Sequence, residues 1–147
     1  MPISLTGIFQ FFFQKKLIAE NPQPYKSVMA AILNLVVIRS QNAERLAEFY
    51  EAVGLKFHKH RHGKGLEHFA AELGGSVFEI YPLQGTALPT TGVRIGFQVE
   101  DIHTVFASLV NKGAKAMQHP SPSPWGERAV LKDMDGHVVE LLHPVGL

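Results

Sequence analysis

The sequence contains no cysteine among its 147 residues and has almost no net charge. Without cysteine, disulfide bonds, thiolate metal sites and cysteine nucleophiles are excluded. A cysteine-free chain suits a reducing compartment, and we expect a cytoplasmic protein. The net charge of +1 provides no electrostatic reason to expect a nucleic acid or an acidic membrane as a partner.

Long hydrophobic runs are also missing, and the most apolar stretch, residues 8–13, is too short to span a membrane. Two lysines follow this stretch, whereas a signal peptide carries its basic residues first. "NPQP", residues 21–24, then interrupts the chain. We interpret residues 1–29 as an N-terminal appendage that docks on the domain or on a partner subunit, or as an extension upstream of a natural start at Met29. The appendage has apolar residues at the spacing of a short amphipathic helix: Ile8, Phe9, Phe12, Phe13 and Leu17.

The remainder, residues 30–147, has the composition of a globular domain, since 46% of the whole chain is hydrophobic and 18% is charged. Its first half predicts a strand, a helix that begins after Asn42 and ends at Gly54, and three more strands. The predicted ranges are 32–38 for the strand, 42–54 for the helix, and 55–61, 66–73 and 76–81 for the later strands.

The second half repeats this order about sixty residues later, with Asp101 before its helix and Gly113 after it. "DMDG", residues 133–136, predicts a tight hairpin in which Gly136 supplies a positive φ. Two β-α-β-β-β units therefore account for the pattern. The predicted ranges are 92–99 for the strand, 101–113 for the helix, and 114–118, 127–133 and 137–142 for the later strands.

Four segments carry a family resemblance: "FYEAVGLKF", "FEIYP", "VEDIHTVFASLVNKGA" and "PWGERAVLKDMDGHVVELLHP". They resemble the vicinal oxygen chelate superfamily, which includes glyoxalase I, bleomycin-resistance proteins and extradiol dioxygenases. The resemblance implies an α+β fold in which two modules, residues 31–84 and 91–144, curl around a shared concave pocket. It also implies a small-molecule ligand or substrate and a homodimer that completes the pocket.

Each half places one glutamate in an apolar strand, Glu79 in "VFEIYP" and Glu140 in "HVVELLHP". The resemblance implies that both are candidate catalytic residues and candidate metal ligands, together with the positions of Asn34 (or Leu35) and Arg94. A guanidinium group has no lone pair for a metal. A divalent metal is therefore possible but disfavoured, and we expect Arg94 to pair with one or both carboxylates.

Further candidates for ligand binding are His68, Trp125 and Arg128, besides Asn34 and Arg94. His68 lies among apolar residues and is either a pocket acid/base or a structural histidine. Trp125 is either a lid over an apolar ligand or a residue that attaches its loop to the core. His58, His60 and His62 occupy every second position of a predicted strand and so share one face, most simply a solvated edge that could also bind a transition metal.

Two functions follow from the resemblance. The first is a glyoxalase-like lyase or isomerase, in which Glu79 or Glu140 moves a proton beside a carbonyl group. The second is a non-catalytic protein that binds and sequesters a small molecule, as in the bleomycin-resistance branch. The enzyme is slightly favoured, and an extradiol dioxygenase is disfavoured because Asn34 and Arg94 replace the histidines that its iron needs.

Overall fold

A computed structural model describes residues 31–146 of the chain. The predicted N-terminal appendage, residues 1–29, lies outside the described residues. The elements are the strands β1 (Leu35–Ser40), β2 (His58–His60), β3 (His68–Leu73), β4 (Ser76–Pro82), β5 (Arg94–Gln98), β6 (Lys115–Ser123), β7 (Gly126–Lys132) and β8 (Val138–Pro144), and the helices α1 (Ala43–Tyr50) and α2 (Ile102–Asn111), with a short 3-10 helix (Glu51–Val53) after α1.

The strands form two sheets of four with the same topology, and this confirms the predicted α+β fold with two β-α-β-β-β units. The strand orders are β1-β4-β3-β2 and β5-β8-β7-β6. In each sheet the first strand of the unit runs parallel to the last, and the other pairs are antiparallel. We call the two units, each with its helix, the first and the second module.

Both helices begin where the sequence predicts them. The Asn42 side chain accepts a hydrogen bond from the Arg45 backbone N–H, and the Asp101 side chain accepts one from the Thr104 backbone N–H. These caps satisfy backbone donors that have no partner within the helix. Gly54 has a φ of 93° and ends the first helical segment in a conformation that favours glycine.

Several strand boundaries differ from the prediction because strands extend only as far as their partners. The first strand begins at Leu35 rather than Ile32, since its neighbour β4 begins at Ser76 and Leu35 already pairs with Val77. β2 is shorter than residues 55–61, whereas β6 extends to Ser123, because its ladder with β7 continues through irregularities in its register.

The two modules share one hydrophobic core. It contains Phe49 and Tyr50 from α1, Phe78 from β4 and Leu109 from α2. Across the modules the Tyr50 and Phe97 rings lie 5.8 Å apart. Among the described residues, no helix is both long enough and apolar enough to cross a membrane.

A buried polar network also joins the modules. The Tyr50 hydroxyl in the first module donates a 2.7 Å hydrogen bond to the Asp133 carboxylate in the second. Asp133 also accepts hydrogen bonds from His137 Nδ1 and from three backbone N–H groups of the β7–β8 turn. His137 Nε2 lies 2.6 Å from the Thr90 hydroxyl. A satisfied network of this kind specifies how the two modules pack, because each buried polar atom would be costly without its partner.

Candidate functional site

Glu79 and Glu140 both lie on sheet faces that point away from the shared core. In β4, Phe78 and Ile80 are buried while Glu79 between them is only partly buried. In β8, Val139 and Leu141 are fully buried on either side of Glu140. Strand alternation produces this arrangement, since successive side chains point to opposite faces of a sheet. We call these the open faces of the two sheets.

On the open face of the second sheet, two arginines surround Glu140. Arg128 Nη2 donates a 2.7 Å hydrogen bond to Glu140 Oε2, and Arg94 Nη1 lies 3.6 Å from the same oxygen. Arg128 Nη1 also donates to Gln118 Oε1 at 3.2 Å. The expected partner Arg94 is therefore the more distant one, with a side chain that is 59% exposed.

The two arginines stabilise the charged form of Glu140. The hydrogen bond from Arg128, together with the charges of Arg128 and Arg94, lowers the pKa of Glu140. The same hydrogen bond raises the pKa of Arg128. A carboxylate with a lowered pKa is a weak base, so Glu140 is poorly suited to remove a proton from carbon. Two guanidinium groups and one carboxylate leave a local excess of positive charge.

The residues do not fit the metal site that the resemblance implies. Leu35 pairs with Val77 and Arg94 pairs with Val138 in corresponding registers, so Leu35 and Arg94 occupy equivalent positions in the two sheets. An aliphatic side chain and a guanidinium group both lack a donor atom for a metal. Two of the four positions are therefore lost.

Asn34 precedes the first strand and is exposed. Its backbone carbonyl accepts a 2.8 Å hydrogen bond from the Val77 N–H. Because paired residues point to the same face, Leu35 and Val37 share the open face with Glu79. Asn34 itself lies outside β1, so the strand does not hold its side chain beside Glu79.

Glu79 lies in a groove formed by the first module alone. The groove has a volume of about 880 Å³, and its lining includes His60, His62, Glu72 and Val77. Among the described residues, the cationic or imidazole group that contacts Glu79 is His68, whose Nε2 lies 3.6 Å from Glu79 Oε1. The two glutamates thus have different surroundings, imidazoles for Glu79 and guanidinium groups for Glu140.

His68, predicted as a pocket acid/base or a structural histidine, has features of both. It is 1% exposed, its ring stacks on Tyr81 at 4.1 Å, and its Nδ1 lies 3.1 Å from the Leu66 carbonyl oxygen. Its Nε2 is buried and has no hydrogen-bond partner among the described residues. His60 and His62 are brought next to it, and sequence spacing alone could not show this because the pairing of β2 with β3 creates the contact.

A second cavity, the inter-module crevice, lies between the first module and β5. It has a volume of about 510 Å³ and is lined mostly by apolar side chains, with Arg94 and Gln98 among the polar ones. Leu55, Leu73, Phe78 and Phe97 are part of its apolar lining. A mostly apolar cavity of this size with a few polar groups is typical of a small-molecule site.

Trp125 is the chain's single tryptophan and is located in the turn between β6 and β7. It is 56% exposed, so it does not attach its loop to the core formed by residues 31–146. The next residue, Gly126, has a φ of 133° and approaches the backbone of His143 closely.

The family model for the glyoxalase/bleomycin resistance protein/dioxygenase superfamily matches residues 32–141. No functionally curated protein matches the chain significantly. A solved structure of TnmS3, an antibiotic binding protein from Streptomyces sp. CB03234, has a TM-score of 0.61 and 22% identity over 79% of this chain and 98% of the other.

Two further solved structures have the same fold. A glyoxalase/bleomycin resistance protein from Albidiferax ferrireducens has a TM-score of 0.62 and 17% identity over 77% of this chain and 98% of its own. A glyoxalase/bleomycin resistance protein/dioxygenase family enzyme from Burkholderia phytofirmans has a TM-score of 0.59 and 16% identity over 76% of this chain and 97% of its own. The chain belongs to the glyoxalase/bleomycin resistance protein/dioxygenase superfamily.

Proposed function

We propose that this protein binds and sequesters a small molecule that has an apolar or aromatic body and an anionic group. The observation that carries the proposal is the pair of arginines at Glu140. Arg128 already neutralises that carboxylate through a 2.7 Å hydrogen bond, whereas Arg94 is 59% exposed and 3.6 Å away. Arg94 therefore retains guanidinium N–H donors for a ligand, and a carboxylate is a matching acceptor.

The inter-module crevice supports the apolar part of this ligand. Arg94 lies in its lining beside apolar side chains such as Leu55 and Phe97. A ligand whose body occupies the crevice would place its anionic group at Arg94. The likeness to an antibiotic binding protein is consistent with a binding role. At 22% identity this likeness supports the shared fold and does not identify the ligand.

Proton transfer is the competing function, and the protonation of Glu140 weighs against it. The lowered pKa of Glu140 makes this carboxylate a poor base, and Leu35 and Arg94 remove two ligands of the metal that would stabilise an enolate. A glyoxalase-like enzyme would have to rely on Glu79. Binding without chemistry therefore agrees better with the site than the lyase or isomerase that the sequence slightly favoured.

A calorimetric titration tests the proposal. A panel of aromatic carboxylic acids, each with its neutral methyl ester, is titrated into the wild type, Arg94→Gln and Arg61→Gln. Arg61 is a matched control because it is also exposed and pairs with a carboxylate, Glu67, at 4.0 Å. We expect acids to bind more tightly than their esters, and we expect Arg94→Gln alone to weaken acid binding by about tenfold, which is the loss of about 1.4 kcal/mol.

The same mixtures, followed by NMR in deuterated water, distinguish binding from catalysis. A binding protein leaves the ligand chemically unchanged and exchanges no carbon-bound proton. Exchange or turnover by the wild type that is lost in Glu79→Gln or Glu140→Gln would contradict the proposal and show that the protein is an enzyme. Equal binding of acids and esters, unaffected by Arg94→Gln, would show that the arginine does not select the ligand.

We also propose that the protein is a homodimer. Leu35 is 46% exposed and Val37 is 38% exposed, and both lie on the open face beside Glu79. Burying the exposed remainder of such side chains against a second copy would be favourable by about 1 kcal/mol each. Light scattering of the full chain measures the mass directly.

A further inference from the structure

We propose that His60, His62 and His68, with Glu79 beside them, form a binding site for a divalent transition-metal ion such as Zn²⁺. This site lies within the first module and uses β2, the loop that follows it, and β3. It is separate from the positions of Leu35, Arg94 and Glu140, and it does not depend on the ligand-binding function proposed for the inter-module crevice.

The three imidazoles are close enough to share an ion. One ring nitrogen from each of His60, His62 and His68 lies within 4.8 Å of the others. Two donors on one tetrahedral Zn²⁺, each about 2.0–2.1 Å from the ion, are separated by about 3.3 Å. His60 and His62 are exposed, so the small approach that remains is possible through their side-chain rotamers.

His68 is oriented as a metal ligand. A carbonyl oxygen only accepts hydrogen bonds, so the 3.1 Å contact with Leu66 places the proton on Nδ1. In the neutral ring Nε2 then has a free lone pair, and within residues 31–146 this buried atom has no hydrogen-bond partner. A histidine ligand commonly donates its other ring N–H to a carbonyl group in this way. A buried, unpaired nitrogen is otherwise costly.

Glu79 lies outside the group of three mutually close nitrogens, and we assign it as the fourth donor because of its contact with His68. Its Oε1 lies 3.6 Å from His68 Nε2, which is longer than a good hydrogen bond but close to the separation of two ligands on one Zn²⁺. Three imidazoles and a carboxylate suit Zn²⁺, Co²⁺ or Ni²⁺ better than Mg²⁺, which prefers oxygen ligands. The glutamate also balances part of the charge of the ion.

A second group of possible ligands lacks these features. Asp133, Asp135 and His137 also lie close together, but their polar atoms are already used. Asp133 accepts hydrogen bonds from Tyr50 and from the turn, and both ring nitrogens of His137 have partners. That group holds the modules together, whereas no residue in the described part of the chain occupies Nε2 of His68 with a hydrogen bond.

Calorimetric titration of Zn²⁺ into the full-length, metal-stripped protein tests this site. We expect one Zn²⁺ per chain and no competition from Mg²⁺. The double variant with His60→Ala and His62→Ala should bind Zn²⁺ at least about tenfold more weakly, and Glu79→Gln should also weaken binding. His58→Ala is the matched control, because His58 is exposed on the same face of β2 but lies outside the group, and it should bind as the wild type does.

The exposed positions of His60 and His62 make their variants suitable tests, since neither contributes to the core, and circular dichroism checks that they fold. The proposal is wrong if the wild type does not bind Zn²⁺ stoichiometrically, or if the double variant binds it as tightly as the wild type. A loss in His58→Ala equal to that in the double variant would also contradict the proposal, because it would indicate a diffuse histidine surface instead of a defined site. Unchanged affinity in Glu79→Gln would remove Glu79 from the ligand set.

Discussion

The hydrogen bond from Arg128 to Glu140 predicts how the stability of the protein depends on pH. The bond is 2.7 Å long, and the two side chains are 20% and 27% exposed. It lowers the pKa of Glu140 in the folded protein, so its contribution is present at neutral pH and is lost as the pH falls through that lowered pKa. Arg128→Met removes the bond while keeping an unbranched side chain.

The expected magnitude follows from distance and exposure. A hydrogen bond to a charged group contributes about 1.5–3 kcal/mol, and solvent screening at a partly exposed site reduces this to about 1 kcal/mol. Arg94 provides a comparison at the same carboxylate, because its nitrogen is 3.6 Å away and its side chain is 59% exposed. Exposed pairs contribute about 0–1 kcal/mol, so Arg94→Met should cost clearly less than Arg128→Met.

Urea unfolding of the wild type and both variants measures these differences. At neutral pH the free energy of unfolding of Arg128→Met should be lower than that of the wild type by about 1 kcal/mol. The two proteins should converge at acid pH, once Glu140 is protonated. A cost that persists at acid pH would mean that Arg128 acts through packing. An equal cost for Arg94→Met would refute the ranking of the two arginines.

Two other perturbations have matched controls within the chain. Gly126→Ala would place a Cβ against the His143 carbonyl oxygen at a φ of 133°, so thermal melting should show a loss of stability of at least about 3 kcal/mol. Gly136→Ala has only the positive φ, since no described backbone atom lies near its Cβ, and should cost about 1–2 kcal/mol. Val37→Glu should convert the proposed dimer to a monomer, as measured by light scattering. Val110 is equally exposed at 38% but lies on α2, so Val110→Glu should leave the dimer intact. A monomeric wild type would contradict the dimer.

The elements that depend on local chemistry were predictable from the sequence. Asn42 and Asp101 cap the two helices as predicted, and Gly136 has the positive φ that the "DMDG" hairpin requires. These features depend on residues that are neighbours in the chain. Strand ends were less predictable, because the start of β1 and the end of β2 coincide with the ends of partners that are distant in sequence.

The site was predictable only in part for the same reason. Arg94 was expected to pair with a carboxylate, but the closer partner of Glu140 is Arg128. The hairpin register, in which Val130 pairs with Glu140, places Arg128 diagonally across from Glu140, and this signal could have been derived from the position of the "DMDG" turn. The contact of His60 and His62 with His68 depends on the longer loop between β2 and β3. The amino-acid composition of that loop does not determine its geometry.

The two sheets have the same strand order, yet substitutions in one sheet can accumulate independently of the other. In a symmetric dimer of single modules, every substitution would appear twice, on both faces at once. Here the two copies are joined in one chain, so each face can change independently while the inward layer of each strand keeps the common core. One face now displays imidazoles around Glu79 and the other displays guanidinium groups around Glu140. Internal repetition has thus given a small protein two chemically distinct surfaces on one repeated scaffold.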